Sequence, residues 1–223
     1  MPSGKIIHFN GISKCTGSDE VGYAEEHSID EQFFRELFFK DFELNYILDY
    51  AVKNKIHFHI VTHSTPTKTC KEKALITGLP LERVIKGFYL QDKKTQNIYA
   101  LAIPGEFNYS ISHLAKFLET DIKDAERRIG KSDILPVGIK YGTCHPFVND
   151  DSFKEMPLKN ILFDVNFAKK RLIEGGIDDF SFTTHPSNGL DNERTSIQIN
   201  YNDAKDILKN KFGEDIVREI ELV

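Results

Sequence analysis

The stretch from residue 83 to residue 90, RVIKGFYL, has the hydrophobic alternation of a buried strand. Side chains along a strand point to opposite faces in turn, so Val84, Lys86, Phe88 and Leu90 share one face. The polar run QDKKTQN follows, and the apolar run IYALAIP comes after it. The pattern therefore predicts an antiparallel hairpin that carries one lysine on an otherwise apolar face.

Comparable patterns predict the other elements of the chain. Strands are predicted at KIIHF, IHFHIVTH (56–63), NILFDVNFA, FSFTT and TSIQIN, and a short strand with a loop at GIKYGTCHPFV. Helices are predicted over 29–54 with Ser28 and Glu31 as a capping box, at TKTCKEKALITG closed by Gly78, at SISHLAKFLE (110–119), at KDAERRIG, and at NDAKDILKNKF capped by Asn202. The strands and helices interleave without regular βαβ units, which predicts the α+β class with helices packed on a mixed sheet.

The length of 223 residues suits one domain with an elaboration. We expect residues 1–54 to form an N-terminal extension, first irregular and then helical, that packs on the core. Residues 55–223 are expected to form the main domain. An insertion is expected near 174–194, where the sequence is rich in loop-forming residues.

Composition narrows the class of protein. Hydrophobic residues make up 40% and charged residues 28%, which is ordinary for a soluble globular chain. The net charge of −5 argues against broad binding to a phosphate backbone, so a nucleic-acid partner would have to meet a local basic patch. The three cysteines form no CxxC pair, which fits a reducing compartment. With no apparent signal peptide or membrane span, we expect a cytoplasmic protein.

Lys86 has two interpretations. In the structural one, it lies near a strand end with its stem on apolar surface and its ammonium in water, or a bulge at Gly87 turns it outward. In the functional one, Val84, Phe88 and Leu90 line the floor of a cleft. The ammonium then meets an anion or an oxygen-rich ligand there, and Gly87 lets a second backbone or a substrate come close.

The segment GTCHP, residues 142–146, is framed by two residues with special backbone properties. Glycine adopts conformations that are closed to other residues, and proline fixes the exit of the loop. Backbone amides and carbonyls between them can be presented to a ligand in a fixed curve. The segment therefore suits recognition of a polar ligand by main chain.

The order of four motifs resembles the YbaK / prolyl-tRNA synthetase-associated editing domain family. The motifs are HSTPTKTCKEKA, RVIKGFYLQDKKTQNIYALAIPG, SISHLAKFLE and GTCHPF. The resemblance covers roughly residues 56–168 and resumes at TSIQINYNDAKDIL. It implies an α+β fold with a partly barrel-like sheet, and the function of a free-standing deacylase that hydrolyses the ester of mischarged aminoacyl-tRNA at the 3′-terminal adenosine.

The resemblance also implies roles for individual residues. The family's essential lysine corresponds to Lys86, which would be the catalytic residue, and its backbone loop corresponds to 142–146, which would hold the aminoacyl adenosine. The substrate-binding residues that it implies are His63, Thr69, Gly87, Gly142, Thr143, Cys144, His145, Pro146 and Asn166. No cofactor, metal or membrane is expected. The implied partners are mischarged aminoacyl-tRNA and an aminoacyl-tRNA synthetase, and both monomer and homodimer stay open.

Other functions compete for the same residues. His57, His59 and His63 could suggest a zinc hydrolase, but the sequence has no HExxH motif, and we favour a strand decorated with histidines. Cys144 and His145 are adjacent, and adjacent residues rarely form a nucleophile and its base. A non-catalytic module that binds tRNA or a synthetase is the second hypothesis. It is favoured by Phe167-Ala168, which replaces a glycine pair of the family.

Overall fold

A computed structural model describes residues 4–8, 45–54, 56, 58–63, 69–77, 79–133, 135, 144–148, 157–169, 179–183 and 195–223. The strands in these ranges are β1 (Gly4–His8), β2 (Phe58–His63), β3 (Ile85–Asp92), β4 (Ile98–Pro104), β5 (Ile129–Lys131), β6 (Leu158–Asp164), β7 (Asp179–Thr183), β8 (Thr195–Asn200) and β9 (Val217–Ile220). The helices are α1 (Asn45–Asn54), α2 (Cys70–Thr77), α3 (Ile111–Phe117), α4 (Ile122–Arg128), α5 (Asn166–Lys169) and α6 (Tyr201–Phe212), with a 3₁₀ turn at Leu81–Arg83. None of the helices in these ranges combines the length and the apolar character that a membrane crossing needs.

The larger sheet has the strand order β5-β3-β4-β6-β9 and is mixed. Strands β3 and β4 form the predicted antiparallel hairpin, in which Lys86 lies opposite Ile103 and Gly87 opposite Ala102. Strand β4 pairs parallel with β6, and β6 pairs parallel with β9. Helices interleave with these strands along the chain, so the predicted α+β class with a mixed sheet is confirmed.

The smaller sheet has the order β1-β2-β8-β7, and each neighbouring pair is antiparallel. The predicted strands KIIHF, FSFTT and TSIQIN are therefore confirmed as β1, β7 and β8. Strand β7 lies within the segment 174–194 that we expect to be an insertion, and it pairs with β8. The domain limits themselves stay a prediction.

Two hydrophobic cores cover the opposite faces of the larger sheet. The first core contains Ile47, Ala51, Ile85, Tyr89, Ala100, Ala102, Phe147, Ile161, Phe163, Phe167, Tyr201, Ala204, Ile207 and Leu208. The second core contains Leu90, Tyr99, Leu101, Ile103, Leu114, Leu162 and Leu222. Strand β4 is buried along its whole length between them. A central strand covered on both faces needs a continuous apolar run, and IYALAIP is such a run.

The side chain of Asp164, at the end of β6, fixes the last residues of the chain. It is fully buried. One carboxylate oxygen, Oδ2, accepts hydrogen bonds from the backbone N–H groups of Leu222 and Val223 at 2.7 and 3.1 Å. The other, Oδ1, accepts from the N–H of Asn166 at 2.8 Å, where α5 begins. A buried carboxylate with several N–H donors is well satisfied, so Asp164 joins the sheet to two later segments.

Some predicted element ends are wrong. Helix α6 is capped by Asn200 and not by Asn202, because the Asn200 Oδ1 accepts from the N–H groups of Asn202 and Asp203 at 2.9 and 3.4 Å. The run NILFDVNFA was predicted to be strand throughout, but it changes to helix at Asn166. Most of the helix predicted over 29–54, and its cap at residues 28–31, lies outside the described residues; its last turns are α1.

Candidate functional site

Lys86 is the second residue of β3, and its ammonium reaches the turn that follows β4. Its Nζ donates hydrogen bonds to the carbonyl oxygen of Phe107 at 3.0 Å and to Oδ1 of Asn108 at 2.6 Å. It also lies 5.8 Å from the centre of the Phe88 ring. The side chain is half-buried. The stem therefore lies on the apolar face, as the sequence indicates, and the ammonium is held in place near the strand end.

The charge on Lys86 is held by neutral acceptors. Among the residues that the structure describes, no carboxylate lies within ion-pair distance of it. An ammonium has three N–H donors, and the two oxygen acceptors use two of them. Its positive charge and one donor can therefore serve an anionic or oxygen-rich group that comes to this side of the sheet.

The backbone around this ammonium is packed closely. A Cβ added at Gly105 would lie 2.9 Å from both the Cβ of Cys70 and the carbonyl oxygen of Leu81. The turn after β4 therefore needs glycine, because the start of α2 and the 3₁₀ turn lie directly against it. This packing places Cys70 close to Lys86, whose charge acts on the thiol.

Cys70 is a poor candidate for a nucleophile. Burial raises the pKa of its thiol, and the opposing charges of Lys86 and Lys73 only partly offset this effect. The thiol is therefore neutral near pH 7, whereas a nucleophilic cysteine needs a lowered pKa. A role in packing at the start of α2 therefore suits Cys70 better than a role in catalysis.

Lys73, one turn further along α2, is a buried cation. Only 5% of its surface is exposed. Burial lowers the pKa of its ammonium to about 7, because a low-dielectric surrounding disfavours the charged form. The chain therefore carries a lysine that costs stability whenever it is protonated.

We expect Lys73→Met to raise the free energy of unfolding by about 2 kcal/mol or more at pH 7, because it removes this desolvation penalty. The pKa of Lys73 falls from 10.5 in the unfolded chain to about 7 in the folded one. The unfolded state therefore binds more protons between these values, and wild-type stability rises with pH across that interval. The gain should shrink as the pH approaches 10.5. Urea unfolding at a series of pH values measures the free energy of unfolding of both proteins. Lys71→Met, at an exposed position on the same helix, is the matched control. A gain in stability that does not change with pH contradicts the prediction.

Thr69 serves the start of α2 in the described structure. Its hydroxyl accepts from the N–H of Glu72 at 3.1 Å, and its own N–H donates to the Glu72 carboxylate at 3.0 Å. This is a capping box, which satisfies donors at the first turn of the helix. A substrate-binding role for Thr69 stays a prediction beside this structural one.

The segment 144–148 packs against the other face of β3. A Cβ added at Gly87 would lie 2.1 Å from the carbonyl oxygen of Cys144. Gly87 therefore admits a second backbone at close range. The hydroxyl of Tyr89 then donates to the carbonyl of His145 at 2.6 Å, and that of Tyr46 donates to the carbonyl of Val148 at 3.0 Å. Two carbonyls of this segment therefore already accept hydrogen bonds from tyrosine hydroxyls.

The side chain of Lys86 and the segment 144–148 lie on opposite sides of β3. Neighbouring side chains of a strand point to opposite faces. Gly87 and Tyr89 face the first core with Cys144 and His145, whereas Lys86 lies on the side of the second core. The described residues do not bring Lys86 and the segment into one pocket. The remaining loop residues, 142 and 143, lie outside the described residues.

The other predicted site residues are distributed more widely. His63 ends β2, where it lies opposite Gly4 of β1. Pro146 is buried. Asn166 begins α5, where its backbone N–H is bound by Asp164.

Phe167, where the resemblance leads one to expect a glycine, has a structural role. It is 2% exposed, and its ring lies 5.6 Å from the ring of Tyr201 in the first core. Its carbonyl accepts from Nη1 of the buried Arg83 at 3.4 Å. Phe167 therefore fills the core, and it does not project into the surroundings of Lys86.

Sequence reasoning missed Phe107 and Asn108, which bind the ammonium, and Tyr109, which packs against the Phe88 ring. They follow the Pro-Gly turn as the run FNY, in which a polar and two aromatic residues are adjacent. That run could have been noticed, but its position beside Lys86 depends on the hairpin register. No group of three or more metal-ligating side chains occurs among the described residues, and His57 lies outside them.

Comparison with known proteins places the chain by its fold. No family model and no curated protein matches the sequence. The crystal structure of a hypothetical protein matches with a TM-score of 0.54 at 13% identity, over 78% of this chain and 98% of that one. A structure from a computational design study on grafting epitope backbones onto scaffold proteins matches with a TM-score of 0.50 at 13% identity, over 81% and 96% of the two chains. A third structure, described as a "putative trans-editing enzyme for prolyl tRNA synthetase", has a TM-score of 0.48 at 12% identity, over 80% and 96%.

Proposed function

We propose that the protein hydrolyses the ester bond of mischarged aminoacyl-tRNA, and that Lys86 is the catalytic residue. The ordered motifs of the sequence support the reaction class. The observation that carries the proposal is the Lys86 ammonium, which is half-buried and held by the neutral oxygens of Phe107 and Asn108. A fixed cation without a carboxylate partner among the described residues suits a reaction that develops negative charge.

Hydrolysis of the ester requires mainly that the attacking water is positioned and that the developing negative charge is stabilised. A water molecule, positioned by the substrate's own terminal hydroxyl, attacks the carbonyl carbon of the ester. Negative charge develops on the carbonyl oxygen, and an N–H of Lys86 stabilises it. The bond between the acyl carbon and the ribose oxygen then breaks. The amino acid leaves as a carboxylate, one proton of the attacking water goes to the ribose oxygen, and the other is released to solvent.

The remaining substrate contacts are part of the same proposal. We assign them to His63, Thr69, Gly87, Asn166 and the loop 142–146, although the described part of that loop, 144–146, lies on the other side of β3 from Lys86. The close approach of Gly87 to Cys144 supports a fixed loop geometry. The identity of the amino acid would depend on pocket size, where one methylene changes the binding free energy by only about 1–3 kcal/mol.

We expect Lys86→Ala to lower kcat/KM for deacylation by about 100-fold or more, because it removes an N–H donor and its charge from the developing oxyanion. The assay measures release of labelled amino acid from a panel of mischarged tRNAs. Lys93→Ala, in the exposed turn of the same hairpin, is the matched control and should retain wild-type activity. Asn108→Ala keeps the ammonium but removes one of its acceptors, and it should cost less than the loss of Lys86.

Two results would contradict the proposal. Equal release by wild type and Lys86→Ala would show that Lys86 is not the catalytic residue. If the wild type binds tRNA but releases no amino acid from any member of the panel, the non-catalytic binding module replaces the enzyme as the better hypothesis.

A further inference from the structure

One aromatic ring, that of Phe88, lies beside the Lys86 ammonium, a second ring packs against the first, and the proposed catalytic step uses neither. Phe88 lies two residues beyond Lys86 on the same face of β3, with its ring centre 5.8 Å from Nζ. The ring of Tyr109 meets it edge-on, with 5.1 Å between centres and 75° between planes. Asn108 directly precedes Tyr109 in the chain, and its Oδ1 accepts a hydrogen bond from Nζ. Ammonium, amide and two rings therefore form one continuous cluster.

These side chains have exposed surface and hydrogen-bond donors that a ligand can contact. Phe88 and Tyr109 pack on the second core but are only half-buried, and Asn108 is exposed. Asn108 uses its oxygen for Lys86, which leaves its NH₂ group as a donor. The Tyr109 hydroxyl makes no hydrogen bond within the part of the chain that the structure describes. Burial raises the pKa of Tyr109, so the hydroxyl stays protonated at neutral pH.

This combination fits a nucleotide better than it fits an amino acid. Aromatic side chains stack with nucleobases, amide and hydroxyl groups bind base edges, and an ammonium binds phosphate or ester oxygens. On the opposite face of β3, the carbonyls of His145 and Val148 are already bonded to tyrosines. The side of β3 that carries Lys86 is therefore the one with unused recognition groups.

We propose that Phe88 and Tyr109, together with Asn108, hold the nucleobase of the 3′-terminal nucleotide of tRNA beside Lys86. This inference rests on the proposed function, because it uses Lys86 as the point where the ester lies. It adds Asn108 and Tyr109, which lie outside the motifs that suggested the reaction, and gives a binding role to Phe88, which lies in the same motif as Lys86. The rings position the base, and the ammonium acts on the ester attached to the same nucleotide.

Binding of uncharged RNA tests the inference without any hydrolysis. The probes are two fluorescent RNA minihelices with a single-stranded CCA end, one complete and one with an abasic 3′-terminal nucleotide. Fluorescence anisotropy at fixed salt measures the affinity of the full chain for each. The wild type should bind the complete RNA about tenfold more tightly, and Phe88→Leu and Tyr109→Leu should lose most of this preference. Tyr109→Phe, which keeps the ring, should retain it.

The matched control is Phe117→Leu, a half-buried phenylalanine that packs on the same second core from α3. It should keep the preference for the complete RNA. The inference is overturned if wild type binds both RNAs equally, or if the two leucine variants keep the wild-type preference. If Phe88→Leu does not fold by circular dichroism, Tyr109→Leu decides the question. Failure of deacylation by a wild type that still prefers the complete RNA overturns the proposed catalysis alone.

Discussion

Gly87→Ala is expected to lower the free energy of unfolding by about 3 kcal/mol or more, which is large for the addition of one methyl group. The added Cβ would lie 2.1 Å from the carbonyl oxygen of Cys144 and 2.9 Å from the backbone nitrogen of His145. These are main-chain atoms, so no side-chain rotation relieves the overlap. The segment 144–148 would have to move away from β3, and the hydrogen bond from Tyr89 to His145 would be lost.

Urea unfolding measures this effect through the midpoint and the slope of the transition. Gly130→Ala is the matched control, because the one described atom that a Cβ at Gly130, in the neighbouring strand β5, would meet is Cε of the flexible Lys93 side chain at 3.7 Å. The control should stay within about 1 kcal/mol of wild type. Equal stability of Gly87→Ala and Gly130→Ala would show that the segment 144–148 does not lie against β3 as described.

Arg128→Ala is expected to cost about 3–5 kcal/mol, because it leaves a buried carboxylate without its cation. Asp92, at the end of β3, has a side chain that is 1% exposed and forms an ion pair with Arg128. Burial opposes ionisation of Asp92. Hydrogen bonds from Arg128 and from the N–H groups of Lys94 and Thr95 nevertheless lower its pKa to about 2. Among the groups that stabilise the charge, the arginine makes the largest single contribution.

The test combines chemical denaturation with pH. Because the folded pKa of Asp92 lies below the usual 3.8, the contribution of the pair is complete above that value and is lost as the pH falls towards 2. Wild type should lose this contribution in acid, and Arg128→Ala should not. Asp92→Asn in the Arg128→Ala background should recover part of the stability, since it removes the unpaired charge. The control, Arg127→Ala, removes an arginine with 76% of its side chain exposed and should change stability little; an equal loss in both arginine variants would contradict the prediction.

The sequence predicted the hairpin of β3 and β4 well, because its signal is local. Alternation in one strand, a polar turn and a fully apolar second strand all lie within 22 residues of one another, from Arg83 to Pro104. The short strands β5 and β9 were not predicted. Strand β9 has only four residues, VREI, of which two are charged. Its existence depends on pairing with β6, more than 50 residues earlier in the chain.

The burial and the partners of charged residues were the features of the structure that the sequence predicted least well. Asp92 begins the run DKK, which by composition is a solvated turn, yet it is buried. Its cation, Arg128, is 36 positions away in the chain. Local sequence cannot show a partner at that distance.

The candidate site was predicted in part. The half-buried ammonium of Lys86 and the close backbone approach at Gly87 follow from residue type and strand alternation. Their placement on different sides of the sheet requires the location of the segment 144–148, which the spacing of GTCHP does not reveal. The polar partners of Lys86 come from the turn after β4, and their contribution depends on the register of the hairpin.

The alternation of side chains along β3 divides its positions into two sets, and mutations in the two sets should have different effects. Positions 85, 87 and 89 meet the first core or a neighbouring backbone, so changes there should act on folding. Positions 86 and 88 carry half-buried side chains on the other side, where changes should act on catalysis at Lys86 and on ligand choice at Phe88. A library designed to alter specificity can therefore randomise position 88 while it keeps Lys86 and the first set. Lengthening the strand by one residue would exchange the two sets, so new ligand preferences are more accessible through substitution than through insertion.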